Sequence, residues 1–76
     1  MKKVDKNLVE AILFAASEPL DISTIKSKLK TGTDVLKILY ELQKDYSNRG
    51  VNLVRLADKW SFRTSEDLSN KLKKEI

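Results

Sequence analysis

The sequence predicts an α+β domain that is mostly α, because its apolar residues change period once along the chain. Up to about residue 47 they recur at helical spacing, and from residue 50 to 64 they alternate with polar residues as in a hairpin. A capping box at 64–67 then begins a last helix, expected over residues 65–75. Three helices, a two-stranded wing hairpin and a C-terminal helix are the order of a winged helix-turn-helix. The length of 76 residues allows one such domain, residues 1–76.

The first predicted helix covers residues 5–17 and ends because Pro19 excludes the residue before it from the helical region. The centre of its apolar arc consists of Leu8, Ala11, Ile12 and Ala15. Leu13 and Phe14 add apolar surface on opposite sides of Glu10, so little of the helix faces water. A helix that is apolar nearly all round is normally buried on more than one side. Because a chain this short has no second layer of its own, we predict a homodimer in which a second copy covers one side.

The second predicted helix begins after Asp21, whose carboxylate can accept a hydrogen bond from the backbone of Ser23 or Thr24. Leu20, directly before this cap, can pack on Ile25 as a hydrophobic staple. The helix is expected to end near residue 29. Its core-facing residues are expected to be Ile22, Ile25 and Leu29.

The third predicted helix covers residues 33–47 and follows a turn at 31–34 that fits a capping box. Its core face is expected to consist of Val35, Ile38, Leu39, Leu42 and Tyr46. Leu36 and Tyr40 lie outside this face, where solvent would be expected. We predict that these two residues form a dimer or partner interface together with Leu13 or Phe14.

The hairpin is predicted to have a three-residue loop at 57–59. Its apolar face would consist of Val54, Leu56, Trp60 and Phe62. These four residues share one face only if Leu56 pairs with Trp60, which requires three loop residues. Lys59, the last of them, is then expected in the left-handed conformation where glycine is usual. We interpret Trp60 and Phe62 as core residues and not as platforms for single-stranded nucleic acid.

The composition excludes several classes of function. The chain has no cysteine and no histidine, which removes disulfides, thiolate chemistry and the commonest metal ligand. The carboxylates Glu10, Glu41 and Glu66 fall on separate elements with no nucleophile or paired base, so we predict no catalysis and no cofactor. The apolar runs are shorter than a membrane span, and no signal peptide is recognisable, so a cytoplasmic location is expected.

The net charge of +4 permits nucleic-acid binding without requiring it. The polar side of the third helix carries Asp34, Lys37, Glu41, Lys44 and Asp45. Its carboxylates would repel phosphates, so this helix is not expected to recognise a DNA sequence. Lys26, Lys28 and Lys30 are the candidates for weak, salt-dependent contact with nucleic acid.

Two blocks of residues carry a resemblance to a known family. The first consists of Glu10, Ala11, Ile12, Leu13, Phe14, Ala15 and Ala16, followed by Glu18, Pro19 and Leu20. The second consists of Gly50, Val51, Leu53, Trp60, Arg63 and Thr64. In this order, around a winged-helix layout, they resemble the bacterial segregation and condensation protein B family over about residues 8–68. Asp58 and Lys59 depart from the family pattern, which usually has glycines in the hairpin loop.

The resemblance implies an architectural role. The chain would be the N-terminal half of a tandem winged-helix protein, a non-catalytic homodimerising module of a chromosome condensation and segregation subunit. The family's partners are a kleisin subunit, segregation and condensation protein A, and the SMC ATPase, contacted largely through the part that follows this domain. Such a protein would be nucleoid-associated in the cytoplasm, with weak or indirect DNA contact. The alternative function is a small winged-helix DNA-binding transcription regulator.

Overall fold

The computed structural model describes residues 2–66, 68 and 71. Its elements are α1 (Lys2–Ala15), β1 (Leu20–Asp21), α2 (Ile22–Lys26), α3 (Val35–Asp45), β2 (Val51–Leu56) and β3 (Lys59–Thr64). The strands form one antiparallel sheet in the order β1-β3-β2, so β3 is its central strand. The predicted α+β winged-helix arrangement is confirmed. Most of the predicted C-terminal helix, residues 65–75, lies outside the described residues.

One apolar core joins α1, α2, α3 and the sheet. Its buried residues are Val9, Leu13, Ile25, Val35, Leu39, Leu42, Leu53 and Trp60. The predicted core face of α3 is confirmed, since three of its residues are fully buried while Ile38 and Tyr46 pack against the core at its border. Ile25 is the buried residue of α2, and Ile22 and Leu29 border the core as predicted.

The core-facing side of α1 differs from the prediction. Val9 and Leu13 are buried, whereas Leu8, Ala11 and Ala15 from the predicted apolar arc are exposed. The helix is apolar on two sides, so its own pattern does not decide which side faces the core. The choice comes from α3, which contacts α1 and holds it through polar side chains described below.

The start of α2 is as predicted, because Asp21 is its N-cap and accepts a hydrogen bond of 2.9 Å from the Thr24 N–H. The prediction for Leu20 is incomplete, because Leu20 packs against the core that contains Ile25 and also lies in a strand. Instead of serving only as a staple, Leu20 forms β1 with Asp21 and pairs with Trp60 in β3. The sheet therefore has three strands and not two. A strand of two residues is too short to produce an alternating pattern in the sequence.

The start of α3 is also shifted. The helix begins at Val35, and its N-cap is Asp34, which accepts a hydrogen bond of 3.2 Å from the Lys37 N–H. The capping box predicted at 31–34 is not the one used. Thr33 instead donates its hydroxyl to the carbonyl of Lys30, which holds the preceding turn.

The predicted hairpin register is wrong. The loop has two residues, Ala57 and Asp58, and Leu56 pairs with Lys59. Leu53 pairs with Phe62 on the core face, so Val54 and Leu56 lie on the opposite face. Arg55 is placed opposite Trp60, with its guanidinium 5.8 Å from the centre of the indole ring. Because β2 is apolar on both faces, its pattern is compatible with either register.

The hairpin loop yields the first testable prediction. Ala57 has a φ of 58°, the conformation that favours glycine, whereas Lys59 lies in β3. Ala57→Gly is expected to stabilise the domain by up to about 1 kcal/mol in urea unfolding, because it relieves this strain. Asp58→Gly and Lys59→Gly are the controls, and neither should stabilise. A larger gain from Lys59→Gly would support the three-residue loop.

A second prediction concerns the α2 cap. Hydrogen bonds from the Thr24 side chain and then from its backbone N–H lower the pKa of Asp21 below 3.8. The cap therefore contributes its full stability above that pH and loses it as the pH falls through the lowered pKa. Asp21→Ala is expected to lower the melting temperature at pH 7 by on the order of 4 °C. Asp21→Asn should keep the cap without its titration, and equal loss in both variants would contradict this assignment.

Candidate functional site

An apolar stripe runs along the outer side of α1, opposite the core. It consists of Val4, Leu8, Ala11 and Ala15, at the spacing of residues that share one helix face. Val4 is 68% exposed and Leu8 is 42% exposed. We call these four residues the outer α1 stripe. Their spacing is visible in the sequence, which places Leu8, Ala11 and Ala15 at the centre of the apolar arc.

A second apolar surface lies on α3. Leu36 and Tyr40 are both exposed, as predicted from their position outside the core face. The Tyr40 ring packs edge-on against Trp60, with ring centres 5.8 Å apart, which holds the tyrosine at the surface. A shallow hollow of about 550 Å³ beside these residues is lined by Asp34, Leu36, Lys37, Tyr40, Glu41 and Lys44. We call Leu36 and Tyr40 the α3 patch.

The structure does not bring Leu13 and Phe14 to this patch. Leu13 is 3% exposed and belongs to the core, so its prediction as an interface residue is wrong. Phe14 is exposed, but its ring stacks on Phe62 with centres 4.3 Å apart. Tyr46 contacts both rings edge-on. Phe14 therefore belongs to an aromatic cluster at the junction of α1 and β3.

This aromatic cluster borders a groove of about 370 Å³ between the end of α1, the turn after it and β3. The lining residues are Leu13, Phe14, Ala16, Ser17, Glu18, Pro19, Val51, Ser61, Phe62, Arg63 and Thr64. We call it the α1–β3 groove. The sequence does not predict this groove, because the groove forms between the turn at Pro19 and strand β3, which come together only in the folded domain.

The acidic side of α3 is paired within the domain. The Lys6 ammonium lies 2.6 Å from an Asp45 carboxylate oxygen and 3.6 Å from a Glu41 oxygen. These contacts raise the pKa of Lys6, chiefly through the hydrogen bond to Asp45. The Tyr46 hydroxyl donates a hydrogen bond to Glu10. Together these contacts join α1 to α3 in the rotation that buries Val9 and Leu13.

The three candidate lysines for nucleic-acid contact, Lys26, Lys28 and Lys30, are exposed at the end of α2 and in the turn after it. On α3 itself, Lys37 and Lys44 alternate with carboxylates around the hollow beside the α3 patch. The face that would enter a DNA groove is therefore of mixed charge and partly apolar.

Two further features concern residues 2–66, 68 and 71. None of the helices there combines the length and the apolar character that crossing a membrane requires. No group of three or more acidic, histidine or cysteine side chains that could hold a metal ion occurs in that part of the chain.

The family model and the curated relatives that match this chain belong to the same family. The model of the segregation and condensation complex subunit ScpB family matches residues 7–76. The chain is 37% identical over 62 residues to segregation and condensation protein B of Desulforamulus reducens, covering 78% of this chain and 34% of that protein. It is 29% identical over 82 residues to the Clostridioides difficile protein of the same name, covering 100% of this chain and 46% of the relative. The chain thus spans less than half the length of these curated relatives.

Solved structures agree with the fold. A crystal structure of a dimer of the ScpB N-terminal domain complexed with a ScpA peptide has a TM-score of 0.82 and 33% identity, covering 97% of this chain and 96% of that one. A conserved hypothetical protein from Chlorobium tepidum has a TM-score of 0.78 at 18% identity, covering 99% of this chain and 49% of that one, and supports the fold alone.

Proposed function

The chain belongs to the ScpB family of segregation and condensation complex subunits, and from this membership we propose that it is a non-catalytic, homodimerising winged-helix module. It corresponds to the N-terminal domain of an accessory subunit that acts in chromosome condensation and segregation. Support for this correspondence comes from the solved ScpB N-terminal domain, which has nearly the same length as this chain. The subunit works on the nucleoid in the cytoplasm.

The observation that carries the dimer is the outer α1 stripe. Val4 and Leu8 expose large apolar side chains on the side of α1 that faces away from the core. Ala11 and Ala15 continue the stripe with small side chains, which allow two helices to approach closely. A second copy that places its own stripe here forms a two-fold contact, the commonest symmetry of soluble oligomers. The solved relative is a dimer, which supports self-association of this domain.

The contact predicted from the sequence at Leu36 and Tyr40 is another exposed apolar surface. It consists of two residues, against four in the stripe, and Tyr40 already packs on Trp60. We therefore assign the second copy to the outer α1 stripe and keep the α3 patch as the alternative dimer contact.

The proposed partner is ScpA, the kleisin subunit, because the related domain was crystallised with a ScpA peptide. The SMC ATPase would be engaged through the assembled complex. In this role the domain needs binding surfaces and no reaction centre, which is consistent with carboxylates that serve as caps or in contacts between helices.

Sedimentation equilibrium over a concentration series tests the proposal. The domain alone is expected to shift from monomer to dimer as its concentration rises, and an added ScpA peptide should bind to it. A domain that stays monomeric at every concentration and does not bind the peptide would contradict the proposed function.

A third prediction concerns DNA. We expect no sequence-specific duplex binding, because α3 presents carboxylates and apolar residues where a reading helix presents cations and amides. Any contact through Lys26, Lys28 and Lys30 should weaken steeply with salt. Fluorescence anisotropy with two unrelated duplexes at physiological salt measures both effects. Nanomolar binding that distinguishes the two sequences would favour the alternative function, a DNA-binding transcription regulator.

A further inference from the structure

The central strand β3 is left without a partner along part of one edge. The Ser65 N–H donates to the Gly50 carbonyl at 2.8 Å, which continues the pairing of β3 with β2. Alternate residues of an antiparallel strand direct their N–H and C=O groups to opposite sides. Residues 61 and 63 of β3 therefore pair with β2, and residues 60, 62 and 64 point towards β1.

On that side, β1 covers only the first part of β3. Its two residues pair with Lys59 and Trp60, and no described residue before Leu20 pairs with β3. Within the described residues, the backbone groups of Phe62 and Thr64 have no strand opposite them. They face the α1–β3 groove, which both residues line.

The groove also supplies apolar and polar side chains beside this edge. The stacked rings of Phe14 and Phe62 form its apolar part, and Phe14 is 54% exposed. Ser61 lines the groove as well, and its hydroxyl oxygen is buried without a hydrogen-bond partner among the described residues. The exposed Phe14 ring therefore leaves apolar surface for a ligand side chain to cover.

We propose that the α1–β3 groove binds an extended segment of ScpA, which adds a strand to β3 at Phe62 and Thr64. The inference rests on the proposed function, in which ScpA is the partner. A helical peptide satisfies its own backbone and cannot pair with this edge, whereas an extended one completes the ladder. Alternate side chains of the added strand lie on one face of the sheet, so one apolar side chain of the segment covers the Phe14 and Phe62 rings.

Amide hydrogen exchange, followed by NMR on the domain with and without a ScpA peptide, tests this directly. The Phe62 and Thr64 amides are expected to exchange quickly in the free domain and at least tenfold more slowly in the complex. The Ser61 and Arg63 amides are internal controls, since they pair with β2 and should be protected in both states.

Two variants test the groove independently. Thr64→Pro removes an N–H on the groove side without breaking the β2 ladder, and Phe14→Ala removes the exposed ring. Each is expected to weaken peptide binding at least tenfold in a calorimetric titration, whereas Asn48→Ala, at an exposed position in the loop after α3, should leave the affinity unchanged. Circular dichroism establishes that each variant is folded.

The outcomes separate this inference from the proposed function. A peptide that binds the wild-type domain without protecting Phe62 and Thr64 would overturn the groove assignment and leave ScpA as the partner. No binding by the wild-type domain would overturn both. Protection of these amides that rises with protein concentration in the absence of peptide would mean that a second copy occupies the edge, which also overturns the assignment to ScpA.

Discussion

Leu8→Glu is expected to convert a self-associating domain into a folded monomer, with the dimer dissociation constant raised at least tenfold. Leu8 is 42% exposed, so the core does not depend on its side chain. Complete burial of a leucine contributes roughly 1.5–3 kcal/mol, and each factor of ten in a dissociation constant corresponds to about 1.4 kcal/mol. In a two-fold contact, each substitution also brings two carboxylates into one interface, which adds repulsion to the lost burial.

Sedimentation equilibrium measures the association, and circular dichroism shows whether the helices persist. Asn48→Glu, at an exposed position in the loop after α3, is the control for the added charge and should leave association unchanged. Tyr40→Glu is the informative comparison. If it dissociates the dimer and Leu8→Glu does not, the contact lies at the α3 patch, as the sequence alone predicts.

Leu13→Ala is expected to lower the free energy of unfolding by about 2–5 kcal/mol, because it leaves a cavity in the core. Leu13 is 3% exposed and lies among the buried residues that join α1 to α3 and the sheet. A loss of this size is a large part of the stability of a domain this small. The size of the loss in the free energy of unfolding therefore distinguishes a core residue from an interface residue on the same helix.

Leu8→Ala is the matched control, since it makes the same chemical change on the outer side of α1. Its cost is expected to be well under 1 kcal/mol. The urea unfolding of both variants is measured at a protein concentration low enough to keep the domain monomeric, because dimerisation adds to the apparent stability. If Leu8→Ala costs as much as Leu13→Ala, the rotation of α1 described here is wrong.

Local features of the fold were predictable from short stretches of sequence. The core face of α3 follows from five apolar residues at helical spacing. The α2 cap follows from Asp21, which lies three residues before Thr24 and accepts a hydrogen bond from its backbone N–H. The end of α1 follows from Pro19. Each of these features depends on residues within a few positions of one another, so the sequence alone contains the information that decides them.

For the candidate surfaces, the sequence predicted the exposed α3 patch and the need for a partner on α1. It placed Leu13 on the wrong side, because α1 is apolar on two sides and only one can face the core. In the observed rotation Val9 and Leu13 enter the core while Lys6 contacts Asp45 and Tyr46 contacts Glu10, and these polar pairs lie more than thirty residues apart in the chain.

The sequence by itself therefore determined the helical segments, the α2 cap and the winged-helix order, since these depend on local spacing and hydrogen bonding. The tertiary structure alone decided the rotation of α1, the register of the hairpin and the unpaired edge of β3. When a strand or helix is apolar on both faces, burial of either face lowers the free energy of the folded state. The sequence pattern is therefore compatible with two arrangements. The choice is made where separate elements pack together, as when Leu53 enters the core opposite Phe62 and leaves Leu56 outside.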